Sequence, residues 1–320
     1  MIKRFTPLLL LPLLLLSACT PQKANSEPKQ ETLSLVATTY PIYLFLSEVT
    51  RGADGVSVTP LINQSISCLH NYTLSVNEMK VMEGADVLFM NGAGLDDFVL
   101  DSSHSNASLT LVDCSSGMNL LPAHEDTEEP VHEEVQESNP AHDHDGDWDP
   151  HYWLDPVRAS SMLTSMAQQL SKLDPDNADL YQKNAATATE TITTEYARLQ
   201  QELAPLTCRK LITFHDGFAY FADAFDLKIL MSIEEEEGQE ASAKVISQAI
   251  ASIKNDGLPA IFTEEFSSDA TAKAIARENP FPIKICPLTL IMSGSTENPG
   301  ISVYLAAMEQ NVTTVLEALS

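Results

Sequence analysis

Short apolar runs of strand character alternate along this chain with stretches whose hydrophobic residues recur at helical spacing. Leu33 to Thr38 is rich in β-formers, Pro41 to Val49 repeats its apolar residues every three or four positions, and Val56 to Leu61 is strand-like again. Ser75 to Met82 predicts a helix and Ala85 to Met90 a short buried strand that runs into the loop N-G-A-G. Leu109 to Asp113 is a further strand. Val157 to Leu173 has the spacing of an amphipathic helix. The tetrapeptide D-P-D-N then predicts the cap of a second one, from about Ala178 to Leu203, with no Pro or Gly inside it and Pro205 just beyond. The alternation then resumes. Lys210 to Thr213, Lys228 to Ile233, Ala260 to Thr263 and Ile283 to Cys286 read as strands. Phe218 to Ala224, Ala243 to Asn255, Ala270 to Glu278 and Val303 to Leu319 read as helices.

Strands that alternate with helices build parallel sheets covered by helices. The expected fold is therefore α/β, with two lobes that each hold a parallel sheet flanked by helices. At the standard rise the helix over 178–203 extends about 39 Å, more than one lobe needs, so it reads as a rigid link between lobes with a cleft beside it. The expected boundaries are 33–173 for the first lobe, 174–204 for the link and 205–320 for the second lobe. The first lobe includes a polar loop over 123–150.

Ahead of this body, Lys3 and Arg4 precede the apolar run Leu8 to Leu16, too short to span a bilayer as a mature helix. With L-S-A-C behind it, residues 1–18 read as a lipoprotein signal peptide whose removal leaves Cys19 acylated. Residues 19–32, polar and with two prolines, read as a tether. The expected location is the outer face of a membrane. Four cysteines remain, Cys68, Cys114, Cys208 and Cys286, in a compartment that permits disulfides. The pairing that keeps each bridge within one half is Cys68 with Cys114 and Cys208 with Cys286. Thiolate zinc ligation is the alternative, and no C-x-x-C element supports it.

The formal net charge is −27, which repels nucleic acid and anionic lipid and favours cations as partners. The charge is concentrated. His124, His132, His142 and His144 stand among acidic residues, and no Lys or Arg occurs from Val81 to Val157. This stretch is too polar to order itself, and it suits the capture of divalent cations at high local concentration. The acidic run Glu234 to Glu237 reads instead as a solvated loop. Three other histidines stand in loops that follow strands or the acidic stretch: His70, His151 and His215. Imidazole nitrogen is the ligand that tetrahedral zinc prefers, and open α/β sheets gather ligands at the C-terminal ends of their strands. Asp149, Asp155 and Asp216 flank these positions and could orient the imidazole rings or merely cap turns. His104 fits no motif and reads as surface.

The motifs V-A-T-T-Y-P-I-Y, L-H-N-Y-T-L-S-V, G-A-D-V-L-F-M-N-G-A-G-L, D-P-H-Y-W-L-D-P, T-F-H-D-G-F-A-Y-F, A-I-F-T-E-E-F-S-S and Y-L-A-A-M-E-Q-N-V follow one another from Leu35 to the C-terminus. In this order the chain resembles the metal-binding lipoproteins of ABC importers, of the zinc and manganese type. The resemblance implies a non-enzymatic, monomeric receptor that captures Zn²⁺ between two lobes and hands it to a membrane permease driven by an ATPase. It places the ligands at His70, His151 and His215. Manganese-type relatives carry a late Asp where this chain has Ile291, which leaves the fourth ligand open and leans the reading towards zinc, since hard Mn²⁺ is better served by carboxylate oxygen. A manganese receptor of the same type is the alternative. A zinc hydrolase is a further one, against which stands the lack of an H-E-x-x-H element.

Overall fold

The computed structural model describes residues 32–64, 69, 72–104, 106–123, 148–234 and 241–320. Its first half holds β1 (Leu33–Ala37), β2 (Val56–Pro60), β3 (Val87–Met90) and β4 (Thr110–Asp113), all parallel, in the order β2-β1-β3-β4. Helices α1 (Tyr40–Val49), α2 (Val76–Glu83) and α3 (Phe98–Ser103) make the crossovers. Ser75 and Glu78 form a reciprocal capping box at the start of α2, which satisfies two backbone N–H groups that the helix cannot. The six-residue α3 lacks a side-chain cap bond and is too short to show a period, so the hydrophobic pattern did not reveal it.

Two long helices follow, α4 (Pro156–Leu173) and α5 (Ala178–Leu203). Asp155 caps α4 by accepting the Val157 N–H at 2.7 Å, and it also pairs with Arg158. The expected D-P-D-N cap of α5 is built differently. Pro175–Asn177 form a 3-10 turn and Asn177 makes no side-chain cap bond. The Asp174 carboxylate is drawn sideways, accepting the Asn177 amide at 2.7 Å and the Tyr181 hydroxyl at 2.5 Å. Near its start α5 reaches the first half, where the Asn184 amide donates to the carbonyls of Val49 and Arg51 at 3.0 and 2.9 Å. Near its end it reaches the second, with Tyr196 donating to the Ala224 carbonyl at 2.6 Å and Arg198 pairing with Glu309 at 2.8 Å.

The second half repeats the first. Strands β5 (Lys210–His215), β6 (Lys228–Glu234), β7 (Ala260–Glu264) and β8 (Lys284–Leu288) are parallel in the order β6-β5-β7-β8, with helices α6 (Ala219–Ala224), α7 (Ala243–Asp256), α8 (Ala270–Glu278) and α9 (Ile301–Leu319). Side chains alternate across β5 as pleating requires. Leu211 joins a large apolar core that also contains Leu35, Phe89, Trp153, Tyr181, Ile192, Phe262 and Tyr304. Ile212 and Phe214 join a smaller core under α7 and α8 with Ile253, Ile261 and Ile275. The large core is continuous from one sheet to the other. Among the described residues no helix is long and apolar enough to cross a membrane.

One expectation about the cysteines is corrected here. Cys114, Cys208 and Cys286 are free thiols. Cys286 pairs in register with Phe262, and Phe262 with Thr213, five residues beyond Cys208. At about 3.3 Å per residue and 4.8 Å per strand, Cys208 and Cys286 lie far beyond the roughly 7 Å that a disulfide can bridge. Cys68, like Cys19, lies outside the described residues. Burial raises the Cys114 thiol well above its ordinary pKa.

Candidate metal centre

His215 is the last residue of β5, and β5 is the strand from which the chain crosses first to β6 on one side and later to β7 on the other. This is the switch point of the sheet, where a crevice opens beyond the strand ends. The strand carries His215 to 7% exposure among apolar neighbours.

His151 arrives by a different route. The backbone closes an isolated antiparallel bridge between Pro122 and Trp148, then turns through Asp149 and Pro150 into a 3-10 turn over Tyr152–Leu154. Three groups pin the turn. Tyr220 on α6 donates to the Asp149 carbonyl at 2.9 Å, the Asn91 side chain donates to the Pro150 carbonyl at 3.1 Å, and Tyr152 donates to the Asn91 carbonyl at 2.6 Å. Burial raises the Tyr220 hydroxyl to about 12, so it remains a donor across the physiological range. Asp149 Oδ1 then accepts both the backbone N–H of His151 at 2.9 Å and its Nδ1 at 2.8 Å. A carboxylate on Nδ1 fixes the tautomer and leaves Nε2 as the basic nitrogen.

The two imidazoles meet edge to face, with ring centroids 5.2 Å apart and planes at 86°. Their Nε2 atoms are 3.4 Å apart. Two nitrogens bound at 2.0–2.1 Å to one tetrahedral ion lie about 3.3–3.4 Å from each other. Gly217 keeps this space open. A Cβ there would stand 2.7 Å from His215 Cδ2, 3.1 Å from His151 Nε2 and 3.0 Å from Leu290 Cδ2. Leu290 thus shares the space around the pair, and its carbonyl accepts the Trp153 indole N–H at 2.8 Å.

The remaining candidates separate clearly. Asp155 is a helix cap, and Asp216 accepts from Ser232 at 3.2 Å. Asp149 is the flanking carboxylate whose bond to the His151 ring has been described. Ile291 is buried to 2% beside Leu290, at φ +62°, so this late position carries an apolar side chain. His104 is exposed at the end of α3. His70 and the loop histidines His124, His132, His142 and His144 lie outside the described residues. His70's neighbours are described: Leu69 is buried to 1% and its carbonyl accepts the Tyr72 N–H at 3.0 Å.

Sequence reasoning did not single out Glu264. It ends β7, is 6% exposed, and follows Phe262, the register partner of Thr213 on β5. Two residues further along the same register are His215 and Glu264, on the same face of the sheet. An acidic residue that closes the mostly apolar strand run A-I-F-T-E, buried along its whole length, is the signal that could have marked it.

A protein-family model described as zinc-uptake complex component A, periplasmic, matches residues 35–318. The high-affinity zinc uptake system protein ZnuA of Bacillus subtilis (strain 168) is 26% identical, across 96% of this chain and 94% of that protein. The zinc-binding lipoprotein AdcA of Streptococcus pneumoniae (strain ATCC BAA-255 / R6) is 28% identical across 93% of this chain, which spans 57% of AdcA. In structure, a Zn(II)-bound mutant variant of AdcAII of Streptococcus pneumoniae matches with a TM-score of 0.74 at 25% identity, over 91% of this chain and 99% of that one.

Proposed function

Since the chain belongs to the periplasmic zinc-uptake component family, we propose that it is an extracytoplasmic zinc receptor that delivers Zn²⁺ to an ABC permease and its ATPase. The observation that carries this reading is the 3.4 Å approach of two buried Nε2 atoms, the separation that one tetrahedral zinc ion asks of two ligands. His70 is the third ligand on this reading. The wall at Leu290 and Ile291 is apolar, which favours an imidazole-bound borderline metal over the harder Mn²⁺. The ion is cargo, held and released without covalent chemistry. Cys19 is the lipid anchor, the receptor works as a monomer at the outer face of the membrane, and the histidines at 124, 132, 142 and 144 gather zinc for the cleft.

The test is competition titration of the purified chain against a chelator of known affinity. His151→Ala and His215→Ala are each expected to weaken the tight site by more than the roughly 10–100-fold that loss of an outer-shell partner costs. Equal zinc affinity in wild type and both variants would overturn the reading.

A further inference from the structure

Between β8 and α9 the chain runs from Thr289 to Gly300 without regular structure, yet it is fastened along its length to elements of the first half. At its start the Leu290 carbonyl holds the Trp153 indole at 2.8 Å. In its middle the Tyr40 hydroxyl donates to the Ser295 carbonyl at 2.8 Å and the Tyr43 hydroxyl to the Thr296 carbonyl at 3.4 Å. At its end Arg51 donates to the Pro299 carbonyl at 2.9 Å, and Glu48 accepts the Ile301 N–H at 3.2 Å. Tyr40, Tyr43, Glu48 and Arg51 all come from α1 or the turn that ends it. The fit is close. A Cβ on Gly294 would run into the Tyr40 phenol.

The two ends of this segment differ in kind. Residues 290–292 are buried, and Leu290 borders the same small space at Gly217 as the two imidazoles. Residues 294–298 are exposed, so little apolar burial holds them and the two phenol bonds carry much of the attachment. From this arrangement we propose that residues 289–300 form a clasp over the metal centre, and that Tyr40 and Tyr43 hold it shut and so set how fast metal enters and leaves. The Leu290 side chain is the door, the exposed stretch is the strap, and α1 is the post to which it is tied. The two tyrosines are positioning residues, since they act on the centre through the strap. The inference rests on the zinc reading of the His151–His215 pair.

The experiment is stopped-flow zinc association and dissociation on the full chain, comparing wild type with the double variant Tyr40→Phe, Tyr43→Phe. Phenylalanine keeps the rings and removes only the donors. Two neutral hydrogen bonds correspond to a change on the order of tenfold. Both rate constants are expected to rise together by about that factor while Kd stays within about threefold. Gly294→Ala, which presses on the Tyr40 contact from the strap side, is expected to act in the same direction. Amide hydrogen exchange over residues 293–299 in zinc-free protein is expected to quicken in both variants, a readout that needs no metal. Wild-type rates in both variants would overturn the clasp, as would a rise in the dissociation rate alone with a matching loss of affinity. Failure of the underlying zinc reading would appear separately, as wild-type protein whose zinc binding is indifferent to His215→Ala.

Discussion

A single carboxylate oxygen does two things at His151. Asp149 Oδ1 grips the backbone N–H and Nδ1 together, so the turn and the ring are set by the same atom. Asp149→Ala would leave the Nε2 atom in place only part of the time and free the ring to change tautomer. The expected loss of zinc affinity is about 10–100-fold, with the thermal melt of the zinc-free chain moved far less. An unchanged affinity would mean that Tyr220 and Asn91 suffice to hold the turn. Sequence reasoning named Asp149, Asp155 and Asp216 without ranking them. Each is an acidic residue next to a His or a turn, and which oxygen reaches a ring depends on backbone direction, which adjacency in the chain does not reveal. Glu264 was overlooked for the same reason, because its proximity to His215 is a matter of strand register.

At the scale of elements, the N-G-A-G-L-D turn after β3 is organised around one buried carboxylate. Asp96 accepts the N–H groups of Asn91 at 2.5 Å and Gly92 at 2.9 Å, together with the Thr38 hydroxyl. Complete burial nevertheless raises its pKa from 3.8 to about 6. A carboxyl that binds its proton more tightly when folded favours the native state most below its unfolded pKa, and that contribution is lost as pH rises through about 4 to 6. A rise of that size corresponds to a contribution on the order of 3 kcal/mol. Urea denaturation across this window should show a falling contribution in wild type that Asp96→Asn flattens. An identical slope in the two proteins would refute the assignment. The turn itself was legible from its glycines, whereas the role of Asp96 was not, since an acidic residue in a loop is ordinarily solvated. The D-P-D-N sequence likewise has the residues of a cap without acting as one at α5, because the Asp174 carboxylate is taken up by Asn177 and by Tyr181, seven residues on.

Over the whole molecule, the two halves share one strand order, β2-β1-β3-β4 and β6-β5-β7-β8, and the large core passes without a break between them. The negative charge of the chain is concentrated in the segment between these sheets, where residues 124–147 lie outside the described residues. If that segment gathers zinc, removal of residues 125–147 should lower the number of zinc ions bound per chain towards one, leave the tightest site intact, and slow uptake when zinc is scarce. Metal content by mass spectrometry and growth under chelation would check this. Unchanged stoichiometry and uptake would remove the capture role.

The chain's own pattern was sufficient for the alternating elements, the parallel sheets and the long helix, because periodicity and local chemistry are properties of neighbouring residues; it marked His70, His151 and His215 as candidates, and the fold is what sets the last two side by side. What the folded molecule alone decided is of another kind: that Cys208 and Cys286 stand too far apart to join, that Asp149 orients its ring while Asp155 caps a helix, and that residues 289–300 lie tied to α1. Those outcomes depend on strand order and register, which bring together groups more than two hundred positions apart, such as the Tyr40 hydroxyl and the Ser295 carbonyl. Sequence spacing carries no information about such distances until the large core has packed.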